Sequence, residues 1–255
     1  VVPQKTAEAE QQHYETTTTE LENLRSSIDR TKATGNPGSA SVRMSPQYDQ
    51  LLFAMTPARG TGTLRTEPQP GGIVIENAVS EGETGDYWGG GSSSFDTSRI
   101  VYRPRYNEFD DQPTRIYESS VQYDRFESGG EVVRSGQQLI RGSNIQLTAI
   151  LGDLSASGTG VQTIEPAPVS APAERVSVTG DGANIFVRVP TQLSEDAWSE
   201  LLSEQLDSNG GNVVDYGVSG DVLTLELDGT KEYDLQLSAV GVGENADDAE
   251  STYIV

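Results

Sequence analysis

Cysteine is absent from this 255-residue sequence, and histidine occurs once, at His13. The first absence excludes disulfides and thiolate metal sites and leaves no redox clue to compartment. The second excludes any site built from two imidazoles. A Ser/His/Asp arrangement would have to use His13, which reads as part of an exposed N-terminal helix, and no G-x-S-x-G elbow accompanies it. Long apolar runs are missing too: nothing approaches the roughly 18 residues of a membrane-spanning helix. No asparagine is followed by x-Ser or x-Thr, so N-linked acceptor sites are absent.

Positive charge is the other scarcity. Lys+Arg total 17 against 39 Asp+Glu, for a formal net charge of −22. Lysine occurs only at Lys5, Lys32 and Lys231. Such a charge destabilises a compact chain in dilute buffer, and salt of about 1 M, with a Debye length of roughly 3 Å, screens most of it. Acid excess with lysine scarcity is the composition expected of a salt-adapted protein. The acids are scattered among β-branched and aromatic residues, which argues against a disordered acidic chain. With no Lys/Arg stripe to neutralise phosphates, nucleic acid is excluded as a partner, and anionic membrane surfaces are disfavoured. The sequence opens Val1-Val2-Pro3 without a signal peptide. The expectation is that a targeting or anchoring segment has been removed, so that a membrane enters only through that segment.

Residues 1–35 are predicted to be an N-terminal helix, with Thr6 as N-cap and Gly35 and Pro37 as its end. Tyr14, Thr17, Leu21, Leu24 and Ile28 recur at spacings of three and four, a narrow stripe that should lie on a sheet or pair with another helix. The threonine run 16–19 is a poor helix former and predicts a weak middle. Residues 36–157 read as a β-rich domain, with strands at 41–44, 51–55, 62–66, 72–77, 99–103, 115–126, 131–140 and 144–151. In the 115–126 strand, Tyr117, Val121 and Tyr123 share one side. Ser128-Gly129-Gly130 is a hairpin turn. Residues 158–174, rich in Pro, Gly and Ala, read as an extended connector. Residues 175–243 read as a C-terminal β-β-α-β-β-β lobe with a helix capped by Ser194, and residues 244–255 as an acidic tail with a terminal strand. The predicted class is mainly β (α+β): an N-terminal helix packed on antiparallel, sandwich-like sheets plus the C-terminal lobe.

Chemical motifs are few. Glu108, Asp110 and Asp111 near Tyr106 and Phe109 form a sugar-friendly mixture, but carboxylates are everywhere in this chain and solvated surface acids are the better reading. The Asp181-Gly182-Ala183-Asn184 and Asp228-Gly229-Thr230 stretches lack the spaced calcium-loop pattern and read as hairpin turns, so calcium has no sequence support and no cofactor is expected. Neither Gly60-Thr61-Gly62 nor the 89–94 Gly/Ser run is a phosphate loop. Tyr87-Trp88, in a Gly/Ser loop, is a candidate contact for a sugar or a partner. The chain reads as non-enzymatic.

Gln11-Gln12-His13, the segment Leu21-Glu22-Asn23-Leu24-Arg25-Ser26-Ser27-Ile28, and Tyr48-Asp49-Gln50-Leu51-Leu52-Phe53 leading to Pro57-Ala58-Arg59-Gly60-Thr61-Gly62-Thr63-Leu64 together resemble haloarchaeal secreted proteins related to type IV pilins. Tyr102-Arg103-Pro104-Arg105-Tyr106-Asn107-Glu108 and Ser194-Glu195-Asp196-Ala197-Trp198 are similar to the same group. The processing site and hydrophobic helix of pilins are not in the sequence. The resemblance implies an extracellular ectodomain that is membrane-anchored or built into a filament. The expected function is therefore structural: self-assembly or adhesion at a cell surface. Tyr14, Leu21, Leu24, Ile28, Tyr253, Ile254 and Val255 are the candidate assembly contacts. The alternative is a carbohydrate- or receptor-binding module, including a haloviral attachment protein, with Tyr87, Trp88, Tyr106 and Phe109 as ligand contacts.

Overall fold

The structure, a computed structural model, describes residues 2–48, 60–80, 92–169, 175–180 and 182–246. It is mainly β, with an N-terminal helix lying on antiparallel sheets. The expected strand at 51–55, the Tyr87-Trp88 loop and the terminal strand Tyr253-Ile254-Val255 lie outside the described residues.

Helix α1 spans Val2–Thr34. It begins upstream of Thr6, which is a buried residue inside the helix rather than its cap. Gly35 ends it as expected: it adopts φ 65° and its N–H returns to the Thr31 carbonyl, a left-handed helix stop that favours glycine. The chain then forms β1 (Ala40–Arg43), β2 (Thr61–Glu76), β3 (Val79–Ser80), β4 (Ser92–Arg105), β5 (Thr114–Glu118), β6 (Val121–Arg125) and β7 (Glu131–Ser135). Next come β8 (Ile140–Arg141), β9 (Asn144–Leu151), β10 (Ser155–Gly158), β11 (Val161–Ile164) and β12 (Ala167–Pro168). The last part contains β13 (Val176–Thr179), β14 (Ile185–Pro190), helix α2 (Glu195–Leu202), β15 (Val213–Ser219), β16 (Val222–Leu227) and β17 (Tyr233–Gly241).

The main sheet has nine strands in the order β15-β16-β14-β2-β4-β5-β6-β7, with β10 on the free flank of β2, and it curls like half a barrel. A second sheet, β3-β13-β17-β9-β8 with β12 against β17, packs on it, and β17 and β9 run parallel in register from Asp234/Asn144 to Gly241/Leu151. Strands β1 and β11 form a separate pair. Between the two large sheets lies a core including Ile116, Tyr123, Leu147, Val187, Trp198, Leu225 and Tyr233. A second core lies under α1 and includes Leu21, Leu24, Ile28, Leu64, Ile100, Tyr102 and Tyr117.

Five expectations change. The two segments 62–66 and 72–77 are one strand, β2, bent where Gly71-Gly72 interrupts its register with β4. Gly72 has φ 59°, and a Cβ there would sit 2.2 Å from the Phe95 carbonyl oxygen, so only glycine fits. The segment 115–126 is two strands joined at Ser119-Ser120. Both serines have positive φ (45° and 67°), the conformation of a tight hairpin turn usually given to Asn or Gly. The turn places Tyr117 on the opposite face of the sheet from Val121 and Tyr123. The expected 131–140 strand ends at Ser135. Finally, the 158–174 segment does not separate two lobes. Residues 155–168 supply β10, β11 and β12, which pair with β2, β1 and β17. The expected hairpin of β13 and β14 does not form, because β13 joins the second sheet while β14 pairs with β2 and β16 of the main sheet. Sheets thus run across the expected boundary: β14 pairs with β2, and β17 with β9.

Candidate functional site

Eight buried residues of α1 fall on one stripe: Thr6, Glu10, His13, Thr17, Leu21, Leu24, Ile28 and Thr31. Their spacings are all three or four, so all face the sheet. The stripe changes chemistry in the middle. From Leu21 to Ile28 it is apolar. From Thr6 to Thr17 it is polar and equally buried, and a buried polar group destabilises unless it is hydrogen-bonded. The partners are all present.

Glu10 is fully buried. One of its oxygens accepts from the Tyr48 hydroxyl (2.7 Å) and the Asn107 N–H (2.6 Å), and the other from the N–H groups of Glu108 (2.9 Å) and Phe109 (3.0 Å). The 107–109 turn therefore wraps a carboxylate in three consecutive backbone donors. One turn on, His13 Nδ1 lies 2.8 Å from the Tyr106 hydroxyl and Nε2 lies 3.1 Å from the Arg43 carbonyl. The carbonyl only accepts, so Nε2 carries the proton and Nδ1 accepts from Tyr106. Burial pulls the His13 pKa down to about 4. The positive charges of Arg115 and Arg43 act the same way, and the hydrogen bond to the Arg43 carbonyl and the charge of Glu10 oppose it.

The centre of the seam is an ion cluster. Arg115 on β5 and Asp124 on β6 are directly paired across the hairpin and both are almost fully buried. Arg115 Nε donates to Asp124 (3.1 Å), and its Nη2 donates to the Tyr14 carbonyl (2.6 Å) and the Thr18 hydroxyl (2.6 Å). Its Nη1 donates to the Thr17 hydroxyl. The guanidinium also lies 4.3 Å from the centre of the Tyr14 ring, a cation–π contact. Asp124 accepts further from the Tyr14 hydroxyl (2.9 Å) and from Arg134 on β7 (2.9 Å). Thr17 and Thr18 are thus the surface on which Arg115 is seated, which explains the presence of these two in a helix that they would otherwise weaken.

A second polar node lies on the opposite face of the same hairpin. Glu118 is fully buried and accepts from Tyr123 (2.9 Å), Thr191 (2.8 Å), the Gln192 N–H (2.6 Å) and Gln69 (3.1 Å). Burial pushes its carboxyl above the usual range despite these four donors. Ser119 donates to the Pro190 carbonyl (3.0 Å), and Ser120 accepts from the Gln138 N–H (2.8 Å), so hydrogen bonds fix both strained turn residues. This node ties the β5–β6 hairpin to the end of β14.

The predicted site residues can now be placed. Leu21, Leu24 and Ile28, expected as contacts between subunits, are buried in the chain's own second core. Tyr14 is half-buried and committed to Asp124, Arg115 and Arg134. Tyr106, expected to meet a ligand, is buried against His13. Phe109 stacks on Tyr14 at 5.9 Å. Aromatics from an acidic loop turn inward because they close the seam. Asp111 accepts from Ser128 (2.8 Å) at the protein surface, and Asp228 accepts from the Thr230 N–H (3.0 Å) and hydroxyl (2.6 Å) inside its own turn. Among the described residues no group of three or more His, Cys, Asp or Glu is placed to hold a metal ion. No described helix is long and apolar enough to cross a membrane.

Sequence reading missed Glu10, Arg115, Asp124 and Glu118. For Glu10 a signal existed: it lies three residues before His13 and extends the stripe by the same spacing. No protein-family model, curated protein or solved structure matches the chain.

Proposed function

We propose that this chain is a rigid structural ectodomain on the extracellular face of a salt-adapted microbe, working by self-assembly into a pilus- or filament-like array or by adhesion. The observation that carries the reading is the continuous fixation of α1, from Glu10 through Arg115 and Asp124 to Ile28. A helix held along most of its length acts as a strut, so force on the helix reaches the β body without the seam opening. The acid-rich, lysine-poor composition supports the high-salt part, and the resemblance to secreted pilin-related proteins supports the extracellular and assembly parts. The ligand-binding alternative is the weaker reading, because Tyr106 and Phe109 are spent on internal packing.

Two measurements test the proposal. Sedimentation and electron microscopy of the protein in molar salt should show ordered oligomers or filaments, and a strictly monomeric species at all concentrations removes the assembly reading. Thermal unfolding followed by circular dichroism should give a Tm that rises steadily from dilute buffer to about 1 M salt, as screening relieves the −22 charge. A Tm independent of salt removes the salt-adapted reading.

A further inference from the structure

Two residue pairs along the hairpin from Arg115 and Asp124, the pair Tyr117 and Gln122 faces the same side of the sheet. The first pair is satisfied by α1. The second is not: the Tyr117 hydroxyl and both polar atoms of the Gln122 amide are buried and reach no hydrogen-bond partner within the protein, and the same holds for Arg25 Nε above them. Gln122 is 2 % exposed and Tyr117 7 %. These three residues line a small, partly open cavity between α1 and the sheet, together with Leu21, Leu24 and Ile116. The cavity offers about 10 Å³ to the centre of a water-sized sphere.

We propose that this cavity is a binding site for a single structural water, which bridges Gln122, Tyr117 and Arg25. A site holds a water when it is polar, has room for about one probe sphere and offers two to four polar partners. This one has room for about one probe sphere and, although most of its lining is apolar, presents four buried polar atoms without partners in the protein. The ligand must both donate and accept, because Gln122 Oε1 needs a donor while Gln122 Nε2 and Arg25 Nε need acceptors. An inorganic anion would leave Oε1 unsatisfied, and a metal cation would face the Arg25 charge. Water alone matches the set. Its role is to complete the seam where Leu21 and Leu24 offer no hydrogen bond to the sheet.

A high-resolution crystal structure of the full chain should show one ordered water within hydrogen-bond distance of at least two of these atoms. The Gln122→Leu substitution should expel it and lower Tm by about 2–4 °C, the shift expected in a chain of this size for losing a satisfied buried group. Tyr117→Phe, a smaller change, should keep the water and lower Tm less. An unchanged or higher Tm for Gln122→Leu would mean that the amide sits in a dry cavity and would overturn the proposal. So would density for an ion, or side chains turned to protein partners with the cavity closed. If Gln122→Leu does not fold, the wild-type density and the Tyr117→Phe Tm decide the matter.

Discussion

The two halves of α1 grip the same sheet by different physics. The C-terminal half buries Leu21, Leu24 and Ile28, a non-directional contact that tolerates small shifts. The N-terminal half buries Glu10, His13, Thr17 and, from the sheet, Arg115 and Asp124. Those contacts are directional, and each fails badly if its partner is lost, because a buried charge or donor is then stranded. The apolar half supplies most of the adhesion. The polar half supplies register: Arg115 meets the Tyr14 carbonyl and the Thr17 and Thr18 hydroxyls together in only one position of the helix. A strut that slid by one turn would keep much of its apolar contact and lose all of these.

The largest expected effect breaks the polar half. Asp124→Ala leaves Arg115 buried with no carboxylate and should cost about 3–5 kcal/mol. Urea unfolding measures it, and a loss under 1 kcal/mol would show that the cluster does not anchor the helix. Leu24→Ala breaks the apolar half and should cost about 2–4 kcal/mol through lost burial and a new cavity. The two should also differ in kind. Removing Leu24 should leave the Tyr14–Asp124 hydrogen bond in place, whereas removing Asp124 should loosen α1 from Thr6 to Thr18. Hydrogen exchange along the helix distinguishes these outcomes.

A third effect belongs to the polar half alone. The His13 pKa falls from 6.5 in the unfolded chain to about 4 in the fold. Between those values the unfolded chain binds the proton and the fold does not. Stability is therefore fully present above pH 6.5 and declines as pH falls toward 4, by about 3 kcal/mol at most, since one pKa unit corresponds to about 1.4 kcal/mol. Glu118, with a raised carboxyl, works in the opposite direction, as its contribution is present at low pH and lost as pH rises. Comparison with His13→Gln isolates the histidine, and a pH slope between 6.5 and 4.5 that is the same in this variant as in the wild type would refute the assignment.

Much of this fold was legible wherever local chemistry decides. Strand β9 matches its predicted limits of 144–151, since an apolar run there is bounded by a turn and a glycine. Helix α2 starts at the predicted cap, where Ser194 accepts from the Ala197 N–H, and it buries Trp198 and Leu202 as its pattern requires. The failures are long-range. Nothing local announces that β14 pairs with β2, more than a hundred residues away, so the sequence reads as two lobes where the sheets are shared. The Ser119-Ser120 turn hides because neither residue is a usual turn former at positive φ, and tertiary hydrogen bonds from the 136–140 region and β14 compensate. The polar half of α1 hides because buried carboxylates are not told from solvated ones by composition in a chain with 39 of them.

The smallest expected effect is the sharpest discriminator, because it sets neighbouring residues of one type against each other. Thr19 is exposed on the outer face of α1, while Thr17 is buried and accepts from Arg115. In a helix, threonine is disfavoured relative to alanine by roughly half a kcal/mol. If propensity alone governed the 16–19 run, Thr17→Ala and Thr19→Ala would both stabilise. The seam predicts opposite signs. Thr19→Ala should stabilise by a few tenths of a kcal/mol, and Thr17→Ala should destabilise by about 1–2 kcal/mol, since an Arg115 donor loses its acceptor inside the fold. Equal shifts in urea midpoint for the two variants would mean that the threonines merely weaken the helix. Shifts of opposite sign would show that the run is kept for its hydroxyls, at a cost in helix propensity, to hold the strut in register.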